Sequence, residues 1–366
     1  VQVRGRNSLW WYGLSLVNKP LSTLWLVREM FKQVRRGIDI RIGTPVAPEH
    51  FRSWPMAPRA QAKLWKKQVY RLHKNPASLA PEPIAGAEKA ADVAAVLSGC
   101  ETLVEQGEFS VKLYHQQADC PVMRELSRLR EIAFRAVGEG TGYSRDWDAF
   151  DAYYDHLLLW DSERQQIAGA YRLVSTDGLS ADHIYSTTLF NYARAPEQCL
   201  PGSAELGRSF LLPEYWRSRG LDLLWCGIGQ WILRTNRRFL FGPVSMPGNF
   251  SRRAKSAIVR YFLHHFSTDN PMGNARLPFV EERADLPELT GDAHEDMMQL
   301  KQVLKEEGVV LPPLFKKYAA VTVPGGTSFH AFNIDPDFCD SVDGLVVVDL
   351  EKMDPKFARR YLAASR

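Results

Sequence analysis

The run Ser203-Ala-Glu-Leu-Gly-Arg-Ser-Phe-Leu-Leu-Pro-Glu-Tyr215 constrains the fold more than any other stretch of this chain. It is a short apolar strand pattern carrying one carboxylate, Glu205, and one guanidinium, Arg208. Strands alternate faces with period two, so Glu205 and Gly207 point one way and Leu206 and Arg208 the other. Ionised groups in an apolar strand are costly unless they are paired or at work. The turn Arg217-Ser-Arg-Gly220 follows Pro213, and an apolar helix follows the turn. The turn offers cationic side chains and N–H groups at a helix N-terminus, where an anion is stabilised.

The 366 residues allow two ordinary domains, or one large domain with an appendage. A hydrophobic share of 45% with 24% charged residues fits a soluble globular chain. No apolar run has the length to span a bilayer; Leu14 to Val27 is broken by Asn18, Lys19 and Pro20. No cleavable signal pattern opens the chain, and its first residue, Val1, suggests a piece of a longer protein. The five cysteines are scattered, with no Cys-x-x-Cys, so neither a zinc site nor a disulfide framework is expected. A cytoplasmic place is expected.

Charge is uneven. Residues 1–75 hold fifteen Lys/Arg against Glu29, Asp39 and Glu49, a balance of +12, so the rest carries −8 within the total of +4. The same stretch holds Trp10, Trp11, Trp25, Trp54 and Trp65. Basic residues interleaved with Trp suit an anionic membrane surface, so peripheral binding at the inner face is expected. Nucleic acid also attracts basic patches, but no nucleic-acid module is recognisable. A solvated basic face beside a core is the plainer reading.

Residues 1–47 read as the end of a domain: a strand at Val1-Gln-Val3, a basic amphipathic helix over Leu21 to Val34, and a strand at Ile38 to Ile42. Residues 48–86 form a Pro-rich basic linker with a helix near Ala60 to Leu72. Residues 87–366 read as one α/β unit. Helices are expected at Ala87–Leu97, after Pro121, at Leu221–Leu233 and at Ser251–Phe266. Strands are expected at Phe109–Tyr114, His156–Trp160, Gln166–Leu173, around Glu205, and at Phe239–Ser245, Ala319–Val323, Phe329–Asn333 and Gly344–Leu350. Ile184 to Phe190 fits either state.

A set of landmarks recurs in order over roughly 250 residues of this chain. They are the Arg130…Phe134 helix, Asp148-Ala-Phe-Asp151, Arg172 in Gly169-Ala-Tyr-Arg-Leu-Val174, Glu205…Arg208, Leu223-Leu-Trp-Cys-Gly-Ile-Gly229, Phe239-Leu-Phe-Gly-Pro-Val-Ser245, and Asp335-Pro-Asp-Phe338 with Asp343 to Asp349. From about Phe109 onward the chain resembles the "hemolysin-like" N-acyltransferases that make ornithine lipids and related aminolipids. These are GNAT proteins similar to acyl-homoserine-lactone synthases. The resemblance implies an α/β (α+β) fold with a central mixed, twisted sheet flanked by helices and an N-terminal appendage. Residues 1–47 resemble instead the C-terminal remnant of a lysophosphatidic-acid-acyltransferase-type domain. That family's His-x4-Asp is a decoy here: His156…Asp161, His264…Asp269 and His330…Asp335 all fit it, and none precedes a Pro-Glu-Gly.

The chemistry that the resemblance implies needs several parts. An amine is protonated near neutral pH and must lose a proton before it attacks a thioester. Glu205 is the expected base, directly or through a water; a structural Glu205–Arg208 ion pair is the alternative. Arg208 would orient Glu205 or hold an acceptor carboxylate. N–H groups at a strand bulge near Ser209 or Phe210 would stabilise the oxyanion. Arg217, Ser218, Arg219 and Gly220 would hold the pantetheine phosphate. Arg130, Phe134, Asp148, Asp151 and Arg172 would shape the acceptor site, or simply pack. Trp225, Gly227 and Gly229 read as packing residues.

No metal or bound cofactor is expected, and the co-substrate is acyl carrier protein thioester or acyl-CoA. The turn lacks the second glycine of the usual GNAT loop, having Leu221-Asp222 there. That weakens a pyrophosphate cradle and favours the carrier protein, whose acidic surface Arg217, Arg219, Arg237, Arg238, Arg252 and Arg253 would meet. The acceptor would be the amine of a small amino acid such as ornithine or glycine. The alternatives are a lactone-synthase-like signalling enzyme and a non-catalytic module that binds membrane or carrier protein.

Overall fold

The computed structural model describes residues 2–4, 39–41, 81–115 and 120–362. The chain divides into two compact units, 1–52 with 58–79, and 53–57 with 80–366. In the first, β1 (Gln2–Arg4) pairs antiparallel with β2 (Asp39–Arg41). The helices expected at Leu21 to Val34 and Ala60 to Leu72 lie outside the described residues.

The second unit is built on an eight-stranded sheet. In chain order its first strands are β3 (Glu101–Gln106), β4 (Phe109–His115), β5 (Asp155–Asp161) and β6 (Gln166–Ser175). After β7 (Phe190–Tyr192) come β8 (Ser203–Leu211) and β9 (Phe239–Met246). A short β10 (Gly273–Ala275) pairs with β7 apart from the sheet, and β11 (Thr327–Asp335) and β12 (Ser341–Asp349) complete it. The spatial order is β11-β12-β9-β8-β6-β5-β4-β3. Every neighbour is antiparallel except β8 and β9, which run parallel. A parallel pair needs a crossover connection, and here a helix supplies it.

The helices are α1 (Ala90–Ser98), α2 (Pro121–Ala136), α3 (Pro196–Cys199), α4 (Gly220–Thr235), α5 (Arg252–His265), α6 (Ala293–Glu306), α7 (Pro313–Ala320) and α8 (Pro355–Tyr361). This is the helix-flanked mixed sheet that the resemblance implies. The crossover α4 lies against β3 to β6, burying Leu223, Leu224, Ile228 and Trp231. Each such side chain contributes about 1.5–3 kcal/mol. A side chain at Gly227 would collide with Val111 at 2.6 Å, so the glycine lets α4 settle onto β4.

One expected strand is a helix. Ala319 to Val323 is the end of α7 and the turn after it. Phe315, Tyr318 and Val321 are buried at a spacing of three, which is helical, and Pro313 opens the first turn. Ile184 to Phe190 resolves into a 3-10 turn, Tyr185–Thr188, leading into β7. β3 and α8 had no counterpart in the sequence reading.

Candidate active site

Strands β8 and β9 pair over three residues only, Ser203↔Phe239, Ala204↔Leu240 and Glu205↔Phe241, and then separate. At the fork the backbones still touch: a Cβ on Gly242 would lie 2.0 Å from the Leu206 carbonyl oxygen. Only glycine permits that approach. Beyond the fork is a cleft of about 100 Å³, walled by Arg208 and Ser209 from β8 and Pro243, Val244 and Ser245 from β9. Phe134, Glu139, Tyr185, Asp335, Phe338 and Asp343 also line it. The cleft opens at the carboxyl ends of the two parallel strands, where ligands bind in open α/β sheets.

β8 bulges at the cleft wall. Its register to β6 runs Gly207↔Arg172 and then Phe210↔Ala170, so Arg208 and Ser209 stand opposite Tyr171 alone. Arg208 takes a positive φ of 48° there. A bulge frees a residue from the ladder and re-aims its neighbours. The expected oxyanion residues Ser209 and Phe210 thus sit on and next to a real bulge.

Behind the wall lies a closed ionic cluster. The stretch Asp148 to Asp151 forms a capping box: Asp148 accepts from the Phe150 and Asp151 N–H groups, and Asp151 accepts from the Asp148 N–H at 3.0 Å. That turn aims Asp151 at two guanidiniums. Arg130 reaches it at 3.0 and 2.7 Å, and Arg172 at 2.9 Å. Arg172 also donates to Asp148 at 2.6 Å, and Arg130 stands 3.1 Å from Asp146. Arg130, Arg172, Asp146 and Asp151 are no more than 1% exposed. Burial pushes the Asp151 carboxyl up, but Arg130 and Arg172 outweigh it and hold it well below the usual carboxylate range. His156, also buried here, is pushed down to about 4 by loss of water.

Arg208 belongs to this cluster and not to Glu205. Its guanidinium lies 3.4 Å from Asp146 and 3.5 Å from Asp148, between the rings of Tyr185 (4.7 Å) and Phe338 (5.0 Å). Among the described residues no ion pair joins it to Glu205, so Arg208 neither pairs with that carboxylate nor orients it, contrary to the expectation. The alternation of β8 sends them to different faces. Phe134 packs edge-on against Phe338 and Phe210, with centroids at 4.8 and 6.3 Å.

Glu205 stands at the fork, yet it is 1% exposed and is not among the cleft-lining residues. One carboxylate oxygen accepts from the Ser186 N–H at 2.7 Å, and the other from the Tyr185 N–H at 2.9 Å and the Tyr154 hydroxyl. Burial raises its proton affinity, against the pull of those donors. Both oxygens are thus committed to holding the 185–186 turn, which brings the Tyr185 ring into the cleft.

The Arg217-to-Gly220 turn follows the carboxyl end of β8. Ser218 Oγ donates to the Tyr215 carbonyl at 2.7 Å and accepts from the Gly220 N–H at 3.0 Å, opening α4. Arg217 and Arg219 are exposed and make no ion pair among the described residues. The other arginines of the expected patch are engaged: Arg237 with Asp177, Arg238 with Asp349 and Glu351, Arg252 with Glu282, and Arg253 with Glu306 and Glu307. Among the described residues, His264, His265 and Asp296 are grouped closely enough to share a metal ion. His265 already meets Asp296 at 2.8 Å, and the group lies outside the cleft lining. No helix among the described residues is long and apolar enough to cross a membrane.

Sequence reasoning missed Glu139, Tyr185, Asp146 and Tyr154, and took Asp335 and Asp343 only as landmarks of the resemblance, with no role. Asp343 carried a usable signal. It is a lone carboxylate inside the apolar strand Val342-Asp-Gly-Leu-Val-Val347, the same anomaly that marks Glu205.

Residues 129–226 match the acetyltransferase (GNAT) domain. A glycine N(alpha)-acyltransferase of Bacteroides thetaiotaomicron is 33% identical over 256 residues, which is 64% of this chain and 76% of the relative. An L-ornithine N(alpha)-acyltransferase of Agrobacterium fabrum is 30% identical over 246 residues, 64% of this chain and 77% of the relative. Among solved structures, the AHL synthase LasI is similar over 71% of this chain and all of its own, at 12% identity and a TM-score of 0.38. The forked sheet and the matched domain define an acyltransferase of GNAT type. Within that class, the chain belongs to the N-acyltransferase family of these bacterial relatives.

Proposed function

We propose that this protein moves a fatty acyl group from a phosphopantetheine thioester to the α-amine of a small amino acid such as ornithine or glycine, as a step in making an aminolipid. The observation that carries the reading is the cleft at the β8–β9 fork, with the Arg208–Ser209 bulge in its wall. A thioester lying along the fork brings its carbonyl oxygen to the Ser209 and Phe210 N–H groups, where the developing negative charge is stabilised. The exposed Arg217 and Arg219, with Ser218 and Gly220, take the phosphate at the end of the same strand. The acceptor enters the carboxylate-lined side of the cleft. Phe134 forms part of the aromatic wall, and Arg130, Asp148, Asp151 and Arg172 act from behind, holding Arg208 and that wall in place. The missing second glycine, and two unengaged arginines, support acyl carrier protein over acyl-CoA as donor.

The test is direct. The purified protein is incubated with long-chain acyl carrier protein thioester or acyl-CoA and a panel of amino acids, and products are read by mass spectrometry. N-acylated amino acid, formed faster from the carrier protein thioester, is the expected result. Free fatty acid alone, or no turnover with either donor, would refute the reading.

A further inference from the structure

The cleft carries an excess of acid: Glu139, Asp335 and Asp343 line it against the single guanidinium of Arg208, which Asp146 and Asp148 already share. Glu139 is the odd member. It is 7% exposed; its backbone N–H donates to the Phe134 carbonyl at 2.9 Å, while its carboxyl makes no hydrogen bond or ion pair among the described residues. Asp343, by contrast, accepts from Ser245 Oγ at 2.8 Å. A carboxyl this shielded, at the cleft wall and under only the through-space pull of Arg208, is costly and calls for a reason. The backbone is built to deliver it. Glu139 follows α2 between Gly138 and Gly140, whose φ values of +82° and +110° favour glycine.

We propose that Glu139 is the general base of the acylation step, taking a proton from the acceptor's ammonium while Asp343 and Asp335 hold that ammonium in the cleft. This assignment rests on the N-acyltransferase reading above and moves the base from Glu205 to the cleft. The step balances. The ammonium gives one proton to the Glu139 carboxylate, and the freed nitrogen lone pair attacks the thioester carbonyl carbon. The tetrahedral intermediate collapses with breakage of the C–S bond, and the leaving pantetheine sulfur takes the nitrogen's second proton. The products are amide, thiol and protonated Glu139, which returns its proton to water.

Glu139 is also tuned for the task. Burial, then the charges of Asp343 and Asp335, push it up to about 8, against the pull of Arg208. The Asp343 carboxyl is itself raised to about 7 by burial and by Asp335. Tyr185 and the Cys339 thiol are the other titratable groups beside it. A base with a pKa near the working pH is the efficient choice.

The experiment is a pH profile of kcat/KM for the intact protein with an α-amino acid acceptor, repeated with hydroxylamine, whose nitrogen is already unprotonated at neutral pH. Glu139→Gln should lower kcat/KM for the amino acid about 10²-fold or more and abolish the acid limb near pH 8. With hydroxylamine it should stay within roughly tenfold of wild type, less than the full loss of a general base. Asp343→Asn removes a charge that raises Glu139, so its acid limb should move to lower pH; this variant decides the matter if Glu139→Gln does not fold. Wild type that turns over while Glu139→Gln keeps rate and limb, or an Asp343→Asn limb that does not move, overturns the assignment alone. Wild type inactive on every amine overturns the N-acyltransferase reading and this assignment with it.

Discussion

Asp151→Asn tests the ionic cluster behind the cleft. Asparagine nearly matches the aspartate in shape, so no cavity opens and only the charge is lost. The cluster has three guanidiniums (Arg130, Arg172, Arg208) and three carboxylates (Asp146, Asp148, Asp151), so the variant leaves one cation uncompensated where side chains are 0–1% exposed at its core. Breaking one partner of a buried ion pair costs about 3–5 kcal/mol. That is a large part of a total stability of about 5–15 kcal/mol, and corresponds to a fall in Tm of the order of 10 °C. The sign of the pH dependence follows from the depressed carboxyl. Its stabilisation is present above the unfolded aspartate value, about 3.9, and is lost as pH falls below it. Urea melts from pH 7 to pH 3 should therefore show wild type losing stability steeply on the acid side and Asp151→Asn losing less. A variant within about 1 kcal/mol of wild type at pH 7, or one with the same acid slope, would refute the claim that this charge balance holds the site.

Glu205→Gln should loosen the 185–186 turn at a cost of about 1–3 kcal/mol, because an amide puts a donor where the carboxylate accepts; turnover should fall while the acid limb of kcat/KM stays, and loss of that limb would return the base role to Glu205. Gly242→Ala should fail to fold or lose about 3 kcal/mol in a urea melt, given a Cβ 2.0 Å from the Leu206 carbonyl; a fully stable variant would show that the fork is not fixed by contact there. Arg217→Ala with Arg219→Ala should leave Tm within about 2 °C but raise the donor KM about tenfold, as for lost charged hydrogen bonds; an unchanged KM would take the phosphate away from this turn.

Most elements were legible because they repeat a simple period. α2 announced itself by Val122, Met123, Leu126, Leu129 and Ala133 on one face behind Pro121, and the six residues of the Phe109 strand alternated. Ala319 to Val323 misled because a short apolar run fits both periods, and only its packing as Phe315, Tyr318 and Val321 decides. Glu205 and Arg208 stood out as charges inside an apolar strand, and Arg172 and Asp151 as landmarks of the resemblance. Their partners did not. That Arg172 would meet Asp151 across 21 residues, and Arg208 meet Asp146 and not Glu205, depends on strand neighbours that no local pattern specifies.

By itself the sequence determined the alternation of strand and helix, the strand–turn–helix unit around Glu205 and the charged positions that demand partners. Those follow from local periodicity, capping and the cost of stranded charge, which neighbouring residues express within a few turns of chain. The fork, the bulge at Arg208 and Ser209, and the meeting of Glu139 with Asp343 about 200 residues away were decided only by the tertiary structure. Burial and the field of distant charges set what a carboxyl does, and both exist only once the sheet has closed around it.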